Sequence, residues 1–250
     1  MTRTAQGTGA ANRAADRAAH RTGDGGAAGS GRRRNGNRPV DRAAQRRLVR
    51  ALLDRCGQTY AGQAGIRLRD APAPLYQLLV LAHLLSARIR ADVAVAAARA
   101  LFDAGMRDPR RMAEASWQER VDALGVGHYR RYDERTATQL GKEAQILLDR
   151  FGGDLRRMRA EGEPAEELRE LPGIGPTGVD IFLREAQAVW PEYAPYLDRK
   201  ALDGAERVNL PRDPETLAGL VSREDLPRLA AGLVRVALDK SLAEEVRAAA

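Results

Sequence analysis

Leu171-Pro172-Gly173-Ile174-Gly175 runs directly into Pro176-Thr177-Gly178, between two helix-patterned stretches, Pro164 to Leu171 and Thr177 to Val189. The chain has to reverse there. Gly173 and Gly175 permit backbone angles closed to other residues, Ile174 is placed to plug the helix pair, and Pro176 suits the first turn of the second helix. A hairpin of this kind aims backbone N–H groups outward. Free amides at a helix N-terminus attract anions, and successive ones form a nest that holds a phosphate without a cationic side chain. Pro and Gly also mark ordinary helix–helix turns, so these five residues leave both readings open.

Outward from the hairpin, apolar residues recur at helical spacing. Leu48, Leu52 and Leu53 define one helix between Pro39 and Gly57, and Ala61 to Pro74, with two Gly and two Pro, reads as a connector. Leu75 to Ala87 is apolar nearly all round, the mark of a central, buried helix. Asp92 suits the cap of a helix over Val93 to Ala104, ended by Gly105, and Ser116 that of a short helix through Leu124. Tyr132 to Phe151 places Ala137, Leu140, Ala144, Leu147 and Leu148 on one face and stops at Gly152-Gly153. Asp198 to Val208 and Leu226 to Leu242 complete about nine helical segments. Strand alternation is absent, so the expected fold is all-α.

The first forty of the 250 residues hold eight Arg, two Asp and eight Gly and no Leu, Ile, Phe, Trp or Tyr. That stretch cannot build a core and reads as a disordered basic Gly/Arg tail over 1–39. It carries +6 of the net charge of +7, leaving the remainder at +1. The Arg32-Arg33-Arg34 run suits either sequence-independent attraction to DNA or a solubilising tail. No apolar run approaches the roughly 20 residues of a membrane span, and the start lacks the apolar block of a secretory signal. Cys56 is the only cysteine, which excludes an internal disulfide, a Cys-only metal site and a four-cysteine iron–sulfur cluster. The expected location is a reducing cytoplasm.

Several further blocks stand in order along the chain: Leu84-Leu85-Ser86-Ala87, Gly127-His128-Tyr129, Phe151-Gly152-Gly153, and Leu197-Asp198, whose Asp lies 27 residues after Leu171. With the hairpin, and with Arg207 and Leu210 beyond it, they resemble the helix-hairpin-helix DNA glycosylase superfamily, the group that includes endonuclease III and the adenine glycosylases. The resemblance covers about residues 75 to 210. It implies a two-lobed all-α fold with double-stranded DNA held between the lobes. One lobe would span 75–195, with the helix-hairpin-helix at about 164–189. The other would combine 196–250 with the N-terminal helix and connector of 40–74. No cofactor, metal or membrane is expected, and the protein is expected to act as a monomer.

The same resemblance assigns the chemistry. Cleaving the bond between a base and deoxyribose builds positive charge on the sugar, which a carboxylate beside C1′ stabilises while it orients or deprotonates water. Asp198 matches the family's catalytic Asp; an Asp before a helix is also a good N-cap, and the two roles can coexist. Leu171, Pro172, Gly173, Ile174, Gly175 and Thr177 form the DNA-binding hairpin. Thr177 stands where bifunctional members carry a Schiff-base Lys, and a hydroxyl cannot make an imine; hydrolysis without strand cleavage follows, unless nearby Lys200 restores lyase chemistry. Arg88, at the family's usual Gln, suits filling the gap left by an everted base, with Arg90 close behind, or simply a surface position. Tyr129 and Arg130 are candidates for DNA contact, Tyr129 equally for a core anchor. Trp190, Tyr193 and Tyr196 suit stacking on a base or, more readily, packing in the core. His83, His128 and Cys56 read as structural. Arg199-Lys200 replaces the family's usual Thr-His after the Asp, and this departure favours the alternative of a catalytically inactive DNA-binding or damage-recognition protein.

Overall fold

The computed structural model describes residues 41–250, and all the regular structure among them is helical. The tail over 1–39 lies outside the described residues. In chain order the helices are α1 (Arg42–Cys56), α2 (Tyr60–Gln63), α3 (Pro72–Ser86), α4 (Ala91–Asp103), α5 (Pro109–Glu114), α6 (Trp117–Val126), α7 (Asp133–Phe151), α8 (Leu155–Glu161), α9 (Pro164–Arg169), α10 (Pro176–Ala186), α11 (Arg199–Arg207), α12 (Pro214–Ala218), α13 (Leu226–Leu238) and α14 (Lys240–Ala248). Short 3-10 turns occupy Pro191–Tyr193 and Arg223–Asp225. None of these helices is long and apolar enough to cross a membrane.

Side-chain caps fix most helix starts. Asp41, Thr59, Asp108, Asp154, Asp198, Asp213 and Asp239 each accept a hydrogen bond from an amide in the first turn that follows. At α6, Ser116 and Glu119 satisfy each other's backbone in a capping box. One expected cap is corrected: α4 begins at Ala91 with Arg90 at the N-cap position, and Asp92 sits inside the first turn, where its carboxylate binds Arg90. The segment expected over Leu226 to Leu242 is two helices, because Asp239 leaves helical geometry and starts α14.

Burial collects the helices around two apolar clusters. The larger runs from Ala61 and Ile66 through α3, α4 and α7 to Trp190. The smaller joins Val49, Leu52 and Cys56 of α1 to Leu197, α11, α13 and α14. Glycines set the closest approaches: a Cβ on Gly204 would lie 1.9 Å from the Leu233 carbonyl oxygen, and one on Gly127 2.3 Å from Ala97 Cα. α11 therefore meets α13 with no side chain between them. Buried Arg120 ties α5, α6 and α7 together by donating to the carbonyls of Met112, Ala115 and Ala137.

Candidate nucleic-acid interface and groove

Between α9 and α10 the hairpin buries its two aliphatic side chains, Leu171 and Ile174, and exposes Gly173 and Thr177. The Ile174 amide closes the turn on the Leu171 carbonyl at 3.1 Å. Its side chain lies against Gly178, where an added Cβ would stand 3.3 Å from it. Gly173 has φ +90°, in the region that favours glycine, and a Cβ there would come within 2.4 Å of the His83 ring. Gly175 is the N-cap of α10 without a side-chain cap, and Pro176 has no N–H to offer. Among the described residues, the amides of Gly173, Gly175, Thr177 and Gly178 donate to no backbone acceptor outside a helix and to no side chain. The positive end of an eleven-residue helix and a row of unsatisfied amides thus coincide, a combination that attracts an oxyanion.

Asp198 caps α11, its Oδ1 accepting from the Ala201 amide at 3.3 Å. Arg184, on α10, brings Nε to 3.5 Å from the same Oδ1; the two side chains are only 7% and 9% exposed, Asp198 the more covered. Oδ2 makes no hydrogen bond among the described residues. Arg184 is held in turn by the Asp180 carbonyl at 3.2 Å. A groove of about 310 Å³ is lined by Thr177 and Arg184 of α10, Lys200 of α11, Ser86 and Ala87 at the end of α3, and Val234 and Leu238 of α13; Arg184 lines it, whereas its partner Asp198 does not. Hairpin and carboxylate are therefore linked through α10: Thr177 opens the helix at the nest, and Arg184 meets the acid two turns later.

The other singled-out residues divide. Arg88 is exposed and lines a second cavity, of about 300 Å³, that shares Ser86 and Ala87 with the groove. Arg90 is exposed but paired with Asp92, and Arg130 and Lys200 are exposed. Tyr129 is fully buried, so it forms part of the wall of that second cavity instead of meeting DNA at the surface. Trp190 is also fully buried, edge-on to Phe182, with its indole N–H donating to Asp70 at 3.1 Å. Tyr196 is clamped to α10 by Gln187 through two backbone bonds and by Asp180 through its hydroxyl at 2.7 Å. Burial, reinforced by that carboxylate, pushes the phenol far up, so it stays protonated. None of the three rings in this segment is free to swing onto a base: Tyr193 packs on Trp190 with ring centres 6.0 Å apart.

Sequence reasoning missed Arg184 as the partner of Asp198 and treated His83 as structural. His83 borders the second cavity and binds Glu143 of α7 at 2.9 Å, Nδ1 to Oε2, with both groups buried. A charged residue on the buried face of an amphipathic helix, as Glu143 is on α7, was the available signal.

The sequence matches no protein-family model and no curated protein. Among solved structures, a trapped endonuclease III–DNA covalent intermediate in an estranged-adenine complex is similar at 17% identity and a TM-score of 0.45, over 76% of this chain and 85% of that one. A non-covalent endonuclease III–DNA complex is similar at 18% identity with the same TM-score and coverage.

Proposed function

We propose that this chain is a base-excision DNA N-glycosylase that hydrolyses the bond between deoxyribose and a damaged or mismatched base everted from double-stranded DNA. The observation that supports it best is the pairing of an unsatisfied amide nest at 173–178, at the start of α10, with a carboxylate, Asp198, that meets Arg184 near the end of that helix, where Arg184 lines the groove. The nest holds a backbone phosphate of the strand. Asp198 presents Oδ2 to the sugar, stabilises the positive charge that grows on C1′, and accepts a proton from the attacking water. As the C1′–N bond breaks, its electron pair leaves with the base and the water oxygen takes its place on C1′. Thr177, at the nest, offers no amine for an imine, so the product on this reading is an intact strand with an abasic site; Lys200, which lines the same groove, is the amine that would restore lyase chemistry. Arg88, which lines the second cavity, fills the space the base vacates in the duplex.

Duplexes containing uracil, oxidised, alkylated or mismatched bases test the reading. Base release that disappears in Asp198→Asn while duplex affinity stays supports it, and release from none of them by the unmodified protein rejects it. Borohydride trapping of a protein–DNA adduct with strand cleavage rejects hydrolysis without lyase chemistry. A second reading is favoured by one observation: the Arg184 guanidinium beside Asp198 offsets the negative charge the sugar cation would need. On that reading the chain recognises damage through the hairpin and cuts nothing.

A further inference from the structure

Glu143 is fully buried, and its Oε1 meets no hydrogen-bond partner; its only polar contact is His83 Nδ1 at 2.9 Å. The neighbouring titratable groups do not relieve it. Tyr76 of α3 is fully buried with its hydroxyl unpartnered, and Arg120 of α6 is committed to three backbone carbonyls. The Tyr129 hydroxyl is unpartnered too; Thr136 stands beside it without reaching hydrogen-bond geometry. A buried carboxyl is costly to leave without a partner, and that one contact holds the His83 ring in place.

Glu143 occupies Nδ1, so Nε2 is the ring atom left for another partner. Nε2 has no protein partner among the described residues and lies against Gly173 at the edge of the 300 Å³ cavity. That cavity has room for one nucleobase. Arg88 and Arg135 stand exposed along it, and neither forms an ion pair among the described residues.

We propose that the cavity between the end of α3, α7 and Gly173 receives the everted base, and that His83, oriented by Glu143, reads that base through a hydrogen bond between Nε2 and the base edge. His83 is thus a specificity-determining residue and Glu143 a positioning residue. The inference rests on the reading above only in taking an everted nucleotide as the ligand; it requires no cleavage.

The test compares binding of the full chain to paired duplexes with uncleavable 2′-fluoro sugars. One set carries uracil, hypoxanthine, 8-oxoguanine or mismatched adenine, and the other a tetrahydrofuran abasic analogue in the same sequence. His83→Gln and Glu143→Gln are each expected to weaken the best-held base-bearing duplex by roughly tenfold or more while leaving the abasic duplex unchanged. Equal losses on both duplexes, or none, overturn the proposal, since a merely structural pair moves both together. Should either variant fail to fold, histidine ¹⁵N resonances of the unmodified protein decide: the Nε2 signal of His83 shifts with the base-bearing duplex and not with the abasic one, and an unmoved signal overturns the proposal. Absence of base release in the lesion panel rejects the glycosylase reading alone and leaves this binding comparison standing.

Discussion

Asp198 answers two demands at once, a cap and a charge partner, and its substitutions separate them. Asn retains the oxygen that accepts from the Ala201 amide, whereas Ala loses it; both leave Arg184 without its counter-ion. Asp198→Ala should therefore unfold at lower urea than Asp198→Asn, by about 1 kcal/mol, the usual worth of an N-cap, while both abolish base release. Glu185 provides a second residue-scale prediction. It is buried, accepts from the Tyr60 and Ala61 amides at 2.6 and 2.8 Å, and burial pushes its carboxyl up to about 7. A carboxyl raised on folding contributes its stability below the unfolded value of 4.5 and loses it as pH climbs towards 7. Urea midpoints should fall across that window by roughly 3 kcal/mol in free energy, and Glu185→Gln should flatten the slope. The cap role of Asp198 was legible because a helix start stands next to it in sequence; its choice as the catalytic acid came from the resemblance. Arg184, fourteen positions earlier, was not, since only the packing of both α10 and α11 against α13 brings the guanidinium to it.

At the scale of elements, punctuation in the chain marked the long helices well: Ser116 with Glu119 opens α6, and Gly152 at φ +61° ends α7. Single-turn elements such as α2, α5 and α12 were not seen, because four to six residues contain too little of a 3.6-residue period to register. The break at Asp239 was missed for a related reason: apolar positions keep in phase across it, so only the extended backbone of Asp239 reveals two helices. Contacts between elements are a further layer that sequence reading does not reach. Gly204 and Gly125 both sit inside helices, yet a Cβ on Gly204 would strike the α13 backbone and one on Gly125 would meet nothing within 4 Å. Gly204→Ala should thus push α11 off α13 and cost about 3 kcal/mol, with a visibly lower melting temperature. Gly125→Ala, in an open helical position, should stabilise by roughly 0.5–1 kcal/mol. A neutral Gly204→Ala would mean that α11 and α13 do not touch backbone to backbone.

Across the whole molecule, charge and structure are distributed to different parts of the chain. Residues 41–250 carry both apolar clusters, the hairpin and the groove, with a formal charge of only +1, while residues 1–40 carry +6. On the proposed reading, a body so nearly neutral grips a phosphate through oriented amides, whose partial charges act at close range, and gains little long-range pull from net charge. The proposed role of the basic stretch is the complementary kind of attraction, which is long-range, indifferent to base sequence and weakened by salt. Removing residues 1–39 should therefore lower duplex affinity at low salt and make the plot of log affinity against log salt shallower, by about 0.9 for each phosphate that is no longer neutralised. The order of preference among lesions should not change if discrimination resides, as proposed, in cavities built entirely from residues 60–238. Fluorescence anisotropy over a salt series, run on full-length and truncated protein with the same labelled duplexes, reads both quantities. Parallel salt plots for the two proteins would remove the stretch from DNA binding altogether, and a reordered lesion preference would mean that it reaches the site.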